Sequence, residues 1–151
     1  MLRPALPEDA QAVASVLIES RKHFLPTVPW AHTESEVRQW VQEHLVPGGG
    51  VTVCEQGTQI VAVLATSLEP GVAWIDQLYV LPGHTKTGIG TRLLRHAHQS
   101  LPRPIRLYTF QSNSVARRFY EKEGYICIQL SDGSNNEEKT PDALFEFGGA
   151  G

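Results

Sequence analysis

The chain has 151 residues, 41% of them hydrophobic, and a formal net charge of −3 at pH 7. That length suits one domain with a single core and is too short for two, so we expect one domain over residues 1–151. The charge disfavours a non-specific nucleic-acid binder, which would need a basic stripe, and allows a cationic substrate. The sequence shows no membrane-length apolar run and no signal peptide, which predicts a soluble cytoplasmic protein with no nucleic-acid or membrane partner.

The first half of the chain predicts two helices and an antiparallel meander. A strand over residues 2–4 precedes a helix that opens at residues 7–9. The apolar face of that helix comprises Ala10, Val13, Val16 and Leu17. After the proline-interrupted segment 23–30, Thr33 and Glu36 form the capping box of a second helix. Its apolar side comprises Val37, Trp40, Val41, His44 and Leu45. Strands are expected over residues 51–55, 59–67 and 73–80, the first two joined as a hairpin.

The middle of the chain reads as a buried strand, a tight glycine loop and the start of a helix. The strand ends at Leu78-Tyr79-Val80, and the loop runs Thr85-Lys86-Thr87-Gly88-Ile89-Gly90-Thr91. The glycines carry no Cβ, so the backbone can approach a ligand, and the unbonded N–H groups of the first helical turn point at it. A helix face of Leu93, Leu94 and Ala97 anchors the loop from behind. This pattern predicts a site for a phosphorylated or anionic ligand.

Two well-known phosphate motifs do not fit this loop. Gly83 and Gly88 have the spacing of a Walker A loop, but Ile89 and Gly90 stand where Lys and Ser or Thr are required. In the dinucleotide fingerprint the third glycine would fall at Leu93, and no acidic residue closes a strand about 20 residues on. The loop therefore predicts a pyrophosphate site of another kind.

The last third of the chain predicts a strand over residues 105–109 and a helix over residues 114–123 that Gly124 ends. Two further strands, over residues 125–130 and 143–147, flank a polar loop over residues 131–142. The strand over residues 143–147 is expected at a sheet edge. Such an edge can pair with a second chain, so a homodimer is possible.

The cysteines, histidines and acidic residues favour structural roles. Cys54 and Cys127 lie in strand-like runs with apolar neighbours, which favours reduced packing side chains over a disulfide or a nucleophile. The histidines include no pair at the i, i+4 spacing of a helical metal site, so we expect no metal. His23 and His32 are interpreted as exposed loop residues. The acidic run Glu137-Glu138 is interpreted as part of a solvated loop.

Two blocks of residues carry a resemblance to a known family. They are the loop that ends in Gly88-Ile89-Gly90 and a later block with Asn113, Ala116, Phe119-Tyr120 and Gly124-Tyr125. With the opening Leu2-Arg3-Pro4-Ala5, they resemble the GNAT superfamily of acyl-CoA-dependent N-acetyltransferases over nearly the whole chain. The loop departs from the family at Thr85 and Lys86, where the family commonly has Arg or Gln and often Gly. This departure predicts a weaker grip on pyrophosphate, partly offset by the charge of Lys86.

The resemblance implies an α/β (α+β) fold with a mixed, mostly antiparallel sheet of six to seven strands and about four flanking helices. In such a fold the strand that ends at Val80 splays from the strand over residues 105–109. The resemblance also implies acetyl-CoA as the acyl-donor cosubstrate, with no metal. The residues that it assigns to acetyl-CoA are Leu78, Tyr79, Val80, Thr85, Lys86, Thr87, Gly88, Ile89, Gly90, Thr91, Asn113, Ala116, Phe119 and Tyr120.

The resemblance further implies that the amine attacks the thioester directly and that Tyr120 protonates the departing thiolate. On its residue type alone, Tyr120 would be a packing residue beside Phe119. Asp76 is a candidate base for the amine, and a structural or substrate-binding carboxylate is an equally open interpretation. If strand alternation holds, its side chain shares a face with Trp74, Leu78 and Val80.

Two functions are compatible with these residues. The first is an N-acetyltransferase for a primary amine of a small molecule or peptide, which Tyr120 favours. The second is a non-catalytic acyl-CoA-binding regulatory or interaction module, which Thr85 and Lys86 favour. The acceptor pocket is built from loops, so the sequence leaves the acceptor amine open.

Overall fold

The structure, a computed structural model, describes residues 1–149 and contains a seven-stranded sheet and four α-helices. In chain order the elements are β1 (Leu2–Pro4), α1 (Ala10–Phe24), α2 (Glu34–Trp40), β2 (Val51–Gln56), β3 (Gln59–Glu69), β4 (Val72–Val80), α3 (Ile89–Ser100), β5 (Ile105–Phe110), α4 (Ser114–Lys122), β6 (Ile126–Ser131) and β7 (Asp142–Phe147). The sheet order is β1-β2-β3-β4-β5-β7-β6. Only the β4–β5 pair is parallel. The expected mixed, mostly antiparallel architecture is confirmed.

Two apolar clusters hold the helices against the sheet. One joins α3 and α4 to strands on both sides of the β4–β5 boundary, through Leu93, Leu94, Tyr120 and Phe145 among others. The other joins α1 to β2 and β3, and the predicted face of α1 is buried there. The helix faces predicted from hydrophobic spacing in α1 and α3 are therefore confirmed.

The second helix differs from its expected pattern. The capping box is present, because the Glu36 N–H donates to Thr33 Oγ1 at 3.1 Å and the Thr33 N–H donates to Glu36 Oε1 at 2.8 Å. However, Trp40 and His44 are exposed, and Val41 alone of the predicted side is fully buried. The helix continues in a π-helical turn over Val41–Leu45, in which the Val46 N–H bonds to the Val41 carbonyl. Such an i→i+5 turn places residues five apart on one face, and Val46 is buried together with Val41.

The sheet edges also differ from expectation. The strand over residues 143–147 was expected at an edge, but β7 lies between β5 and β6. The edges are β1 and β6, because the chain turns back after β6 and inserts β7 beside β5.

Both cysteines are free thiols, Cys54 buried and Cys127 partly buried.

The parallel pair β4–β5 is short. Only Ala73 pairs with Ile105 and Trp74 with Arg106, although β4 continues to Val80 and β5 to Phe110. Beyond these residues the strands separate, which confirms the expected splay.

A β-bulge accompanies the separation of the strands. Ala65 on β3 faces Gln77, whereas Thr66 faces Ile75, so Asp76 is an extra residue on β4. The bulge reverses the alternation of side chains along the strand. Ala73, Ile75, Leu78 and Val80 all contact the cluster under α3 and α4. The expectation that Trp74 shares a face with Leu78 and Val80 is therefore wrong.

Besides its pairing with β2, the first strand is linked to the start of α1 by one arginine. Arg3 Nη1 lies 2.7 Å from Asp9 Oδ2, and Arg3 Nε lies 3.2 Å from Glu55 Oε1. Asp9 also accepts the Leu6 N–H at 2.7 Å. The hydrogen bond from Arg3 is the largest of the effects that lower the pKa of Asp9. The ionised carboxylate therefore fastens β1 to the start of α1.

We expect Asp9→Asn to lower the free energy of unfolding by about 1 kcal/mol at pH 7, a modest value because the Arg3 side chain is partly hydrated. Since the folded-state pKa of Asp9 is lowered, its stabilisation is present above the unfolded pKa and is lost as pH falls through the folded one. Melting temperatures of the two proteins should thus converge in acid. Glu8→Gln, at an exposed acidic neighbour, is the control. A constant difference at all pH values would contradict the ion-pair explanation.

Candidate active site

A cavity of about 510 Å³ lies where β4 and β5 separate. Its walls come from both strands, from α4 and from the segment between β6 and β7. Six residues with predicted roles line it, namely Asp76, Leu78, Tyr79, Asn113, Ala116 and Tyr120. The splay thus brings together residues from two distant parts of the sequence.

Backbone groups of β4 point into this gap. The Leu81 N–H donates to the Val61 carbonyl at 2.8 Å, and Tyr79 faces Val63. In an antiparallel pair only alternate residues bond to the same neighbour, so Leu78 and Val80 direct their N–H groups away from β3 and toward the gap. The Val80 carbonyl is occupied, because it accepts from the hydroxyl of buried Ser20 at 3.1 Å. Sequence reasoning missed Ser20, whose partner lies 60 residues away.

Tyr120 is held in a buried aromatic group on α4. Its ring packs edge-on against Phe119 at 5.2 Å and Tyr125 at 5.5 Å between centroids, and it is 8% exposed. Burial raises the pKa of the Tyr120 phenol well above its usual value. The hydroxyl therefore keeps its proton at neutral pH and can donate it to an acceptor in the cavity.

Asp76 contributes a carboxylate to the cavity wall from the bulge in β4. The residue is exposed, but its carboxylate has lost part of its hydration, which raises its pKa; a hydrogen bond with Ser67 opposes that shift, and the charge of Glu69 adds to it. A carboxylate with a raised pKa binds a proton more readily than an ordinary one, which a general base requires.

The predicted phosphate loop lies at the start of α3, beside the end of β4. Gly88 is the residue before the helix, with φ of +84°, and a Cβ there would meet no atom of the described residues within 4 Å. A Cβ on Gly90 would lie 3.6 Å from the Phe119 ring and 3.9 Å from Val80. Thus Phe119 packs behind the loop, and the first N–H groups of α3 are left without helical partners.

Lys86 stands where the loop departs from its family pattern, and its backbone conformation is unfavourable for a residue with a side chain. Its φ is +65°, in the left-handed region that favours glycine. It is exposed, as is Thr87, whose hydroxyl bonds to the His84 carbonyl. Where the family often has Gly, this chain places a cation in a strained conformation next to the loop.

Asn113 and Ala116 organise the start of α4. The Asn113 side chain accepts the Ala116 N–H at 3.2 Å and so caps the helix. Both residues also line the cavity. Capping accounts for the asparagine by itself, so its predicted contact with the cosubstrate stays a prediction.

The acidic run between β6 and β7, interpreted as a solvated loop, is solvated only in part, because Glu137 is exposed and Glu138 is half-buried. Glu138 lines the cavity and lies 3.7 Å from Arg21 on α1, and Glu137 Oε2 lies 2.7 Å from His32 Nε2. Asn136 braces the segment through bonds to Thr140 and Asp142. The contacts of Glu137 and Glu138 join residues more than 100 positions apart, so no local pattern in the sequence could reveal them.

The charge of the cavity is negative. Asp76, Glu138 and Asp142 line it, and no Lys, Arg or His is among its described lining residues. Over residues 1–149, no three His, Cys, Asp or Glu side chains are grouped to hold a metal ion. The negative charge of the cavity attracts an ammonium group.

Comparison with known proteins decides the family. A model of the acetyltransferase (GNAT) family matches residues 17–125. The chain belongs to the GNAT acetyltransferase family. No curated protein sequence matches it.

Solved structures share the GNAT fold at low sequence identity. The paia N-acetyltransferase of Thermoplasma acidophilum, in complex with coenzyme A, is 21% identical, with 97% of each chain covered and a TM-score of 0.74. YjaB of Escherichia coli is 19% identical over 99% of this chain and 98% of its own, with a TM-score of 0.77. Naa50 of Arabidopsis thaliana, bound to the bisubstrate analogue CoA-Ac-MVNAL, is 18% identical over 97% and 96%, with a TM-score of 0.69.

The described helices include none with both the length and the apolar character needed to cross a bilayer.

The glycine before α3 provides a test of the predicted phosphate loop. We expect Gly88→Val to abolish acetyl-CoA binding in calorimetry, because a β-branched side chain would occupy the approach to the N–H groups of α3. The matched control is Gly57→Val in the β2–β3 turn, where φ is +63° and a Cβ also meets nothing within 4 Å. Both variants carry the cost of a left-handed valine. Equal acetyl-CoA affinity in the two variants would contradict the assignment of the loop.

Proposed function

We propose that this GNAT family member transfers an acetyl group from acetyl-CoA to a primary amine by direct attack within a ternary complex. The observation that carries the proposal is the cavity at the strand separation, which brings the free N–H groups of β4 and the phenol of Tyr120 to one place. The N-terminus of α3 lies at the end of β4, where an anionic end of the same ligand would bind.

The β4 backbone would bind and polarise the thioester. The Leu78 and Val80 amides can pair with the pantetheine arm as a missing strand would. A Val80 N–H directed at the thioester oxygen would stabilise the negative charge that develops there, by roughly 3 kcal/mol when such a donor is well placed. Ser20 supports this role, because its bond to the Val80 carbonyl fixes the orientation of the strand end.

The chemical step forms one bond and breaks another. The amine nitrogen bonds to the acetyl carbon, the carbon–sulfur bond breaks, and the sulfur leaves with the electron pair. Tyr120 would donate its proton to that sulfur, and the surplus proton of the new amide nitrogen would return to the Tyr120 oxygen, directly or through water. The raised pKa of the phenol favours that return, so Tyr120 ends the step protonated. Neither cysteine is needed as a nucleophile.

The amine must lose a proton before it attacks. An alkyl ammonium with a pKa of about 10.4 is only about 0.04% neutral at pH 7, a cost of about 4.6 kcal/mol. We propose Asp76 as the group that accepts this proton, directly or through water. Its place in the cavity wall and its raised pKa support the assignment.

Tyr120→Phe is expected to lower kcat by roughly 100-fold or more while acetyl-CoA affinity and fold stay nearly intact, because only the hydroxyl is lost. The matched control is Tyr125→Phe. Tyr125 packs against Tyr120, but its hydroxyl bonds to His98 Nε2 at 2.9 Å. That control should lose stability and keep its kcat. Full kcat in Tyr120→Phe, with chemistry shown to limit the rate, would mean that water protonates the sulfur.

Asp76→Asn is expected to lower kcat/KM at pH 7 by about 10-fold or more, with acetyl-CoA affinity unchanged. In the unaltered protein kcat/KM should fall as pH drops through the pKa of Asp76, since the ionised form is the base. Glu69→Gln removes a charge that raises this pKa, so it should move the acid limb to lower pH. An unchanged pH profile in both variants would assign the proton transfer to another group.

The loop residues support a second candidate, a non-catalytic acyl-CoA-binding module. Thr85 and the strained Lys86 replace the usual loop residues of the family. Thiol release from acetyl-CoA with a panel of amines separates the two functions. Binding without release on any amine would favour the module.

A cytoplasmic location is likewise proposed, on the basis of the two free thiols.

A further inference from the structure

A second cavity, of about 540 Å³, adjoins the first on the side of α1 and α2. The two share walls formed by Gln77, Tyr79 and Glu138. These three residues stand between the two cavities, so a molecule with its amine at the strand separation would pass them to reach the second one.

Two tryptophans line this second cavity. Trp30 is 38% exposed and Trp40 is 41% exposed. The rest of the apolar wall comes from Leu17, Ile18 and Val37. Exposed aromatic side chains on one concave wall mark a surface that a ligand covers. Trp30 is held in place, because the Arg21 guanidinium lies 5.0 Å from its ring centroid.

The charged groups around the second cavity are already paired. Arg21 lies 3.7 Å from Glu138, and His32 lies 2.7 Å from Glu137. Glu36 accepts the Thr33 N–H in the capping box. Of these carboxylates, only Glu138 has a permanently charged partner. Arg21 also lies over the Trp30 ring, which leaves the exposed Trp40 as the larger uncovered aromatic surface of this cavity.

The two cavities thus differ in what they attract. The first carries Asp76 and Asp142 and no cationic lining residue, so it favours an ammonium group. The second offers tryptophan rings and aliphatic side chains, which favour a flat apolar group. The ion pairs to Glu137 and Glu138 connect the two sides of the second cavity and favour a compact molecule over a long chain.

We propose that the acceptor is a compact primary amine with an aromatic body, an arylalkylamine, whose ring packs against Trp30 and Trp40. This inference rests on the proposed acetyl transfer and adds the class of acceptor to it. The tryptophans bind the ring, and the amine reaches the thioester past Tyr79.

The test uses the full chain with coenzyme A or acetyl-CoA and three amines. They are phenethylamine, which has a ring, butylamine, which lacks one, and spermidine, which carries further cations. We expect phenethylamine to have a KM at least about 10-fold below the KM of butylamine, as aromatic burial of this size allows. We also expect phenethylamine to change the tryptophan fluorescence of the coenzyme A complex. Trp74→Phe should keep that change, because Trp74 stacks on Tyr108 and does not line the second cavity.

The decisive variant is Trp40→Ala, whose folding is checked by its melting temperature. It should raise the KM for phenethylamine about 10-fold or more and leave the KM for butylamine and the Kd of acetyl-CoA within about twofold. Trp40→Phe keeps a ring and should restore most of the affinity. A preference for spermidine, or an equal effect of Trp40→Ala on all amines, would overturn the proposal.

The same measurements separate this inference from the proposed function. Failure to bind acetyl-CoA would overturn the acetyl-transfer proposal itself. Thiol release with butylamine and phenethylamine at equal KM would keep acetyl transfer and overturn the aromatic acceptor. A fluorescence change on adding phenethylamine without any thiol release would support the second cavity as a binding site and overturn catalysis.

Discussion

The early separation of β4 from β5 is the constraint on which the rest of this structure depends. The two strands pair only through Ala73 with Ile105 and Trp74 with Arg106, and the bulge at Asp76 follows two residues later. If pairing continued, β5 would take the N–H groups of Leu78 and Val80, and the cavity would close. Buried backbone groups need partners. Ser20 supplies one for the Val80 carbonyl, and the N–H groups that face the gap remain for a ligand or water.

The gap between β4 and β5 is covered differently on the two faces of the sheet. On one face, α3 and α4 cross it through a continuous apolar cluster that includes residues of β4, β5 and β7. On the other face, α1 covers β2, β3 and the end of β4 but not β5, and side chains join the two halves. Glu137 and Glu138 reach His32 and Arg21 across the gap. Apolar packing is dense and resists change, whereas an exposed ion pair such as His32–Glu137 contributes little stability. The side of the proposed cosubstrate site is thus the more rigid one, and the side of the acceptor pocket is the more adaptable one.

Local signals in the sequence predicted most of the fold. The spacing of Leu93, Leu94 and Ala97 predicted the buried face of α3, and Thr33 with Glu36 predicted the start of α2. The bulge was missed because one extra residue leaves no mark in the pattern of apolar letters. The π-helical turn, which buries Val46 with Val41, was missed for a similar reason. The pairing of Glu137 with His32 joins distant positions, so the acidic run looked like a solvated loop.

The proposed acetyl-CoA site is built mostly from backbone groups, whereas the second cavity is built from side chains. This difference explains why the acceptor is harder to infer than the fold. The groups proposed for acetyl-CoA are mostly N–H groups of β4 and α3, which many sequences can supply. The fold is accordingly shared with GNAT structures that are only 21% identical or less. The second cavity, in contrast, depends on particular side chains such as Trp30 and Trp40 in the first two helices and the segment between them. Likeness of fold therefore carries no information about these side chains, and the acceptor has to be argued from the chemistry of this chain alone.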